Sequence, residues 1–422
     1  MERALVVADD YTGAMDTGLG FAANGRSVQV VLAGPDSSGL ERPGAVETDP
    51  DVLVVDADTR ALEQKTAGAT VSRLLADTPS IVYKKVDSTL RGNVASEVTA
   101  AVDAIDASIA VVAPAFPATG RLTANGIQFV DGIPLAQAGY GVESSTVKSQ
   151  LEASPYDCEP LSIDTVAAGS DAIRTTLEAT LSGEPTLVTC DALHERHLES
   201  IVTAAQSLEE TVLFVGSGGL ASALAVPQSG DSPALESPTG DVLGVVGSIN
   251  ERTLEQLGAV SDNRIVRIDP AKAVTDPHTA GTAAAEAIRN RLEAHGEAVV
   301  TSALESADVD KAREAAAAAD CTDDPGDRIS TALATAAAET ARLAPLAGLF
   351  LTGGSVARST LERLDVTTIE LTGASVGDGI PVGYLVDGDL AGSRVITKAG
   401  GFGTEKSIVN CLTALAERND CE

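Results

Sequence analysis

Residues 4–16 read ALVVADDYTGAMD, and the fold class turns on how this stretch divides. The apolar run Ala4–Ala8 suits a strand buried on both faces, and Asp9-Asp10 ends it. Residues 13–23 then take up a helical period, so a strand feeds straight into a helix. The same rhythm recurs outward from this point: apolar runs at 52–55 and 81–84 precede helical segments at 61–76 and 94–104. Further strands are expected at 109–113, 186–189 and 212–216. Such alternation predicts βαβ units with right-handed crossovers and a largely parallel sheet.

A chain of 422 residues exceeds the roughly 250 to 300 residues at which a single core stops growing, so two domains are expected. The segment 227–240, PQSGDSPALESPTG, lacks an apolar period and is rich in Pro, Ser and Gly. It is read as a linker between a domain at 1–226 and another at 241–422. The second half repeats the α/β pattern, with strands at 242–246, 265–268, 298–301 and 349–352 and Ala-rich helices at 280–294 and 329–343. The acidic stretch 320–327 is expected to be a solvated loop. A closing pair of strands at 382–386 and 394–397 precedes a last helix at 405–416. The expected fold is thus α/β in two domains, each a mainly parallel sheet with flanking helices, with an active-site cleft between them.

Composition removes several function classes. The formal net charge is -32 and only 8 residues are Lys, so the basic stripe that a phosphate backbone requires is missing and nucleic acid is not an expected partner. Self-repulsion at that charge is relieved when the Debye length shrinks to about 3 Å in 1 M salt, which points to a salt-adapted, halophilic cytoplasm. Cys158, Cys190, Cys321, Cys411 and Cys421 are odd in number and never paired as CxxC, the pattern of reduced cytosolic thiols. The sequence enters a strand at Ala4 without a basic and apolar leader and has no run of about 18 apolar residues, so neither export nor a membrane is expected. His194, His197, His278 and His295 form no catalytic pattern, zinc spacings are missing, and no metal ligand is assigned.

Chemistry is concentrated where strands end, the edge at which open α/β sheets bind ligands. Asp9, Asp10 and Asp16 with Thr12 follow the first strand. One acid there would serve as a helix cap, but three exceed what a cap needs. The stretch 83–93, YKKVDSTLRGN, gathers Lys84, Lys85 and Arg91 in a Lys-poor chain. Strand alternation turns Lys84 and Lys85 to opposite faces, so at most one meets a given ligand. Arg91 has the planar fork suited to a carboxylate, and Asp87, Ser88 and Asn93 offer partners for hydroxyls. The third exit, APAFPATGR at 113–121, adds Arg121. Three such exits describe a pocket for a small polyhydroxy acid.

In the second half the signals are glycine turns: Gly247-Ser248, Gly353-Gly354-Ser355-Val356, and Lys398 followed by Gly400, Gly401 and Gly403. Glycine turns entering helix N-termini bind phosphates through backbone N–H groups, so a nucleotide is expected here. Neither a GxxxxGK[ST] loop nor a GxGxxG fingerprint is present, which disfavours P-loop and Rossmann enzymes.

With these residues assembled, the chain resembles the four-carbon acid sugar kinase family of threonate, erythronate and oxo-tetronate kinases. ADDYTGAMD, KKVDSTLRGN and APAFPATGR resemble its N-terminal motifs. FVGSGGLA at 214–221, Gly247-Ser248 with Thr253, Gly353-Gly354 and the Lys398 to Gly403 run are similar to its later ones, in the same order. The chain departs from the family at Ser355-Val356, where Glu-Thr is common, and at Gly401, where Asn is usual.

The resemblance implies transfer of the ATP γ-phosphoryl group to the terminal hydroxyl of a tetronate, with Mg²⁺ on the phosphates. The acid sugar would lie in the first domain, touching Asp9, Asp10, Lys84, Lys85, Asp87, Ser88, Arg91, Asn93 and Arg121. ATP would lie in the second, against Ser248, Gly353, Gly354, Ser355, Val356, Lys398, Gly400, Gly401 and Gly403. In that scheme Arg91 with Lys84 or Lys85 holds the carboxylate, Asp10 and Asn93 orient hydroxyls, and Asp10 or Asp87 accepts the hydroxyl proton. The partners are then an acid sugar and ATP, with a homo-oligomer as an open alternative. A kinase for another sugar acid or small hydroxy acid, or a non-catalytic regulator on the same fold, stands as the rival reading.

Overall fold

The computed structural model describes residues 3–33, 50–76, 81–181, 183–228, 239–319, 321–377 and 379–417. The described residues fall into two compact units, 3–228 and 239–417. Most of the expected linker, 229–238, lies outside the described residues.

The first unit begins β1 (Ala4–Ala8), α1 (Tyr11–Ala23), β2 (Val28–Leu32), β3 (Val52–Asp56), α2 (Gln64–Leu74), β4 (Ile81–Lys85), α3 (Val94–Ile105) and β5 (Ile109–Ala113). It continues through β6 (Arg121–Ala124), β7 (Ile127–Val130), β8 (Ile133–Pro134), β9 (Asp157–Leu161), α4 (Ile163–Ala167) and α5 (Ser170–Thr180). It closes with β10 (Thr186–Cys190), α6 (Glu195–Gln206), β11 (Val212–Gly216) and α7 (Gly218–Ala223). Its main sheet runs β2-β3-β1-β4-β11-β5-β10-β9, and the pairs within it are parallel. The core is aliphatic, with Val7, Val55, Val98, Val112 and Val215 fully buried. Strands β6, β7 and β8 form a small antiparallel sheet that the sequence pattern did not anticipate.

Two features of this sheet place the site. From β1 the chain moves to one side for β2 and β3, then crosses to the other side for β4, so β1 and β4 flank a topological switch point. The register also levels the strand ends, with Ala8 beside both Asp56 and Lys85, and Gly216 beside Lys85 and Ala113.

The second unit comprises β12 (Asp241–Val246), α8 (Glu251–Leu257), β13 (Ile265–Arg267), α9 (Pro270–Thr275), α10 (Pro277–His295), β14 (Glu297–Thr301) and α11 (Ser306–Ala318). After these come α12 (Pro325–Leu343), β15 (Leu346–Thr352), α13 (Gly354–Arg363), β16 (Thr368–Ser375), β17 (Pro381–Leu385), β18 (Arg394–Lys398) and α14 (Ser407–Ala416). Its strands run β13-β14-β12-β15-β18-β17-β16, parallel as far as β18 and antiparallel beyond it. The ends of β14, β12, β15 and β18 are again level at Thr301, Val246, Thr352 and Lys398. The switch point lies between β12 and β15.

The acidic stretch expected as loop is in part helix. α12 begins at Pro325 because Asp324 caps it, its carboxylate accepting from the Gly326 amide at 2.7 Å. His197 is buried in α6, where its Nδ1 accepts from the Leu193 amide. Among the described residues no helix is long and apolar enough to cross a membrane.

Candidate functional site

At the first switch point Asp10 caps α1, with its Oδ1 accepting from the Gly13 amide at 2.8 Å. Capping is therefore one task of this acid. Its other oxygen meets Arg60, whose Nη1 lies 2.6 Å from Asp10 Oδ2 and whose Nε lies 2.7 Å from Asp9 Oδ2. Arg60 stands just past β3, and nothing in the sequence reading singled it out. The signal was present as a fourth strand exit, DADTR at 56–60, level with the others.

The Lys84 and Lys85 pair resolves sharply. Lys84 is fully buried, paired with Glu97 of α3 at 2.8 Å and bonded to the carbonyls of Val7 and Lys85. The expectation that it might touch substrate is corrected: its charge is neutralised inside the fold, where it ties β1 to β4. Lys85 points the other way. A Cβ added at Gly13 would lie 2.7 Å from both Lys85 Nζ and Asp10 Oδ1, so glycine is what lets this ammonium approach the acid.

Asp87 accepts from the Thr89 hydroxyl at 2.7 Å and from Arg91 Nε. Arg91 is exposed and stacks 5.8 Å from the ring centre of Tyr140, whose hydroxyl accepts from Arg121 Nη2 at 3.3 Å. Arg121 also donates to the Thr119 carbonyl. Tyr140, which sequence reasoning missed, thus gathers two arginines. Asn93 Nδ2 donates to the carbonyls of Thr59 and Leu62 at 2.9 and 2.8 Å and so holds the turn that carries Arg60, while no donor meets its Oδ1 among the described residues. Ser88 is partly buried, and its carbonyl accepts from Gln128 Nε2 at 2.8 Å.

Electrostatics separate the acids. Burial opposes ionisation of Asp9, but Arg60, Lys85 and Lys84 outweigh it and hold the carboxyl below its usual range. Burial likewise opposes ionisation of Asp87, and Arg60 and Arg91 hold it far below that range. An acid so firmly ionised is a weak proton acceptor. Asp10 differs, because burial and the neighbouring Asp9 charge push it up, against the pull of Arg60 and Lys85. Burial pushes Asp16 up to about 6, with Lys85 opposing and Asp10 adding to the shift.

In the second unit three glycine turns meet at Ser248. A Cβ on Gly353, whose φ is +97°, would lie 3.0 Å from the Ser248 amide, and one on Gly400 would strike the Ser248 hydroxyl. The Thr253 hydroxyl lies 2.7 Å from the Gly400 carbonyl, and Gln256 Nε2 binds the carbonyls of Phe402 and Thr404 at 3.0 and 2.9 Å. Gly401 is exposed beside Asn250, and Gly403, at φ +84°, packs on Ser407.

Two expectations change here. Lys398 is buried, and its ammonium lies 3.0 Å from the Ala399 carbonyl and 3.2 Å from that of Gly400. It shapes the loop from beneath instead of reaching a phosphate, and burial pushes its pKa down to about 8. The Val356 side chain is buried against Gly247, so only its backbone N–H is available to a ligand. Gly354, Ser355 and Val356 form the first turn of α13, whose amides precede the first intrahelical bond, from Ala357 to Gly353.

Beside this turn lies a cavity of about 380 Å³ with two kinds of wall. Gly353, Gly354 and Ser355 line one side, and apolar atoms of Ile249, Ala303 and Ile329 line another. The start of α12 at Pro325 and Gly326 also faces it, but Asp324 already holds the Gly326 amide and Asp308 and Asp327 line the same wall, so the helix N-terminus open to an anion is that of α13. The sequence reading missed the contributions of α11 and α12 to this wall.

A sugar-binding N-terminal domain model matches residues 4–224, and a nucleotide-binding C-terminal domain model matches 243–408. The chain is 32% identical to the D-threonate kinase of Salmonella typhimurium, covering 98% of this chain and 99% of that protein. It is 33% identical to the D-threonate kinase of Cupriavidus necator, covering 98% of each. The D-erythronate kinase of Heliobacterium modesticaldum is 28% identical over 98% of this chain and 97% of its own length. A Salmonella typhimurium LT2 crystal structure shares the fold at TM-score 0.78 and 21% identity, covering 97% of this chain and 98% of its own.

Proposed function

Since the chain belongs to the four-carbon acid sugar kinase family, and is thereby a phosphotransferase acting on a sugar acid, we propose that it moves the γ-phosphoryl group of ATP to the terminal hydroxyl of a four-carbon aldonate of the threonate class. The observation that carries this reading is the grouping of Arg60, Lys85 and Arg91 with Asp10 at level strand ends, in a chain of net charge -32. Arg60 and Arg91 are paired with acids there, which leaves Lys85 and Arg121, without a salt bridge among the described residues, to meet an anionic substrate.

Arg91 and Arg121, gathered by Tyr140, receive the substrate carboxylate through their planar forks. Lys85 stands beside Asp10 to steady the hydroxyl and the phosphoryl oxygens. Asp10 accepts the hydroxyl proton as oxygen attacks the γ-phosphorus: it stands at the strand exit beside Lys85, and burial with the Asp9 charge pushes its pKa up while Asp9 and Asp87 are held down. ATP lies along the cavity at Gly353 and Gly354, with its phosphates on the amides of the first turn of α13. Among the described residues no three His, Cys, Asp or Glu side chains stand together as a metal cage. Mg²⁺ brought in on the ATP phosphates would neutralise their charge during transfer. The charge balance supports action in a salt-rich cytoplasm.

The test is ATP turnover against threonate, erythronate, 3-oxo-tetronate and five- and six-carbon aldonates in molar KCl. Phosphorylation of a four-carbon acid is expected. Turnover confined to longer acids would move the substrate assignment, and no product with any acid would favour a binding protein that has lost catalysis.

A further inference from the structure

We propose that Arg60 is a positioning residue, a clamp that holds Asp9 and Asp10 as one unit and fixes the Asp10 carboxylate toward the acceptor hydroxyl. This rests on the reading of Asp10 as proton acceptor.

Successive residues leaving a strand diverge, and two adjacent carboxylates repel, so Asp9 and Asp10 have no intrinsic reason to converge. Arg60 supplies one, reaching Asp9 with Nε and Asp10 with Nη1. A planar fork holds the two carboxylates in a fixed geometry, which a shorter, freely rotating ammonium reproduces only in part. The clamp is itself anchored. The amides of Thr59 and Arg60 both donate to the Asp9 carbonyl, at 3.0 and 3.1 Å, and the Ala57 amide donates to the Ala8 carbonyl at 2.9 Å. Asn93 grips the same turn through Thr59 and Leu62. Gly92, at φ +89°, leaves space for the arginine stem, since a Cβ there would lie 3.2 Å from Arg60 Cγ. The Arg91-Gly92-Asn93 run therefore serves Arg60 as well as Asp87.

The charged groups around Asp10 are Asp9, Arg60, Lys85 and Asp16, and Asp87 acts on Arg60 from the turn after β4. Because Arg60 pulls the Asp10 pKa down, removing it raises that pKa. A reaction that needs the Asp10 carboxylate then loses rate at a higher pH than before.

The experiment compares full-length Arg60→Gln and Arg60→Lys with wild type, at saturating ATP in molar KCl, with circular dichroism to confirm folding. Each variant is made with and without Asp10→Asn. For Arg60→Gln the clamp predicts kcat lower by about 10²-fold, as misplacement of a catalytic group costs. It also predicts an acid limb moved to higher pH, KM for the acid within a few-fold, and little further loss in the Asp10→Asn background. Arg60→Lys should restore the limb toward wild type and the rate in part. A raised KM with an unmoved limb would make Arg60 a substrate ligand and overturn the clamp, as would equal losses in both backgrounds. Should Asp10→Asn alone keep wild-type turnover, the base assignment falls separately, and the limb of Arg60→Gln still decides whether Arg60 tunes an essential acid.

Discussion

Lys84 Nζ lies 2.8 Å from Glu97 Oε2, with the two side chains 0% and 1% exposed. Removing one partner of such a pair leaves a buried charge alone, at about 3–5 kcal/mol. Lys84→Met is therefore expected to lower stability in denaturant titration by that order. Lys85→Met, one residue on, is expected to keep most of the stability and lose turnover. Equal stability losses in the two variants would contradict the division of labour between the neighbours.

Tyr140 touches Arg91 by stacking and Arg121 by a hydrogen bond. Tyr140→Phe keeps the stack and loses the bond, whereas Tyr140→Ala loses both. The expected order is a small KM increase for the four-carbon acid with Phe and a roughly tenfold increase with Ala, since each contact is worth about 0.5–1.5 kcal/mol. The KM for ATP should not move in either. A fall in kcat at constant KM would place Tyr140 outside carboxylate binding.

Gly353 holds φ at +97° and leaves room for the Ser248 amide. Gly353→Ala strains that backbone and pushes apart two of the turns meeting at Ser248. The KM for ATP is expected to rise about tenfold or more while the KM for the acid stays level, a split that initial-rate kinetics reads directly.

A net charge of -32 predicts that the melting temperature rises as KCl goes from dilute to molar. Thermal melts at constant pH test this, and a midpoint that falls over that range would count against salt adaptation.

These expectations show which links were legible in the chain alone. Asp9, Asp10, Asp87 and Arg91 could be placed because a strand exit beside a helix start is written locally. The Lys84 and Lys85 parity was also local, but which face is the inside is decided by Glu97 on α3, so the buried lysine could not be named. Arg60 acts on Asp9 and Asp10 through the adjacency of β1 and β3, a relation set by topology. Lys398 looked like a phosphate ligand beside glycines, yet its ammonium turns under its own loop. α12 starts at Pro325, ahead of the helix expected at 329–343, because Asp324 before Pro-Gly caps it.

The central claim is that Asp10 accepts the proton from the acid sugar's hydroxyl. Steady-state kinetics of Asp10→Asn with D-threonate and ATP in molar KCl tests it. The account predicts kcat lower by about 10²- to 10⁴-fold with KM for the acid within a few-fold. Wild-type turnover by the folded variant would contradict it.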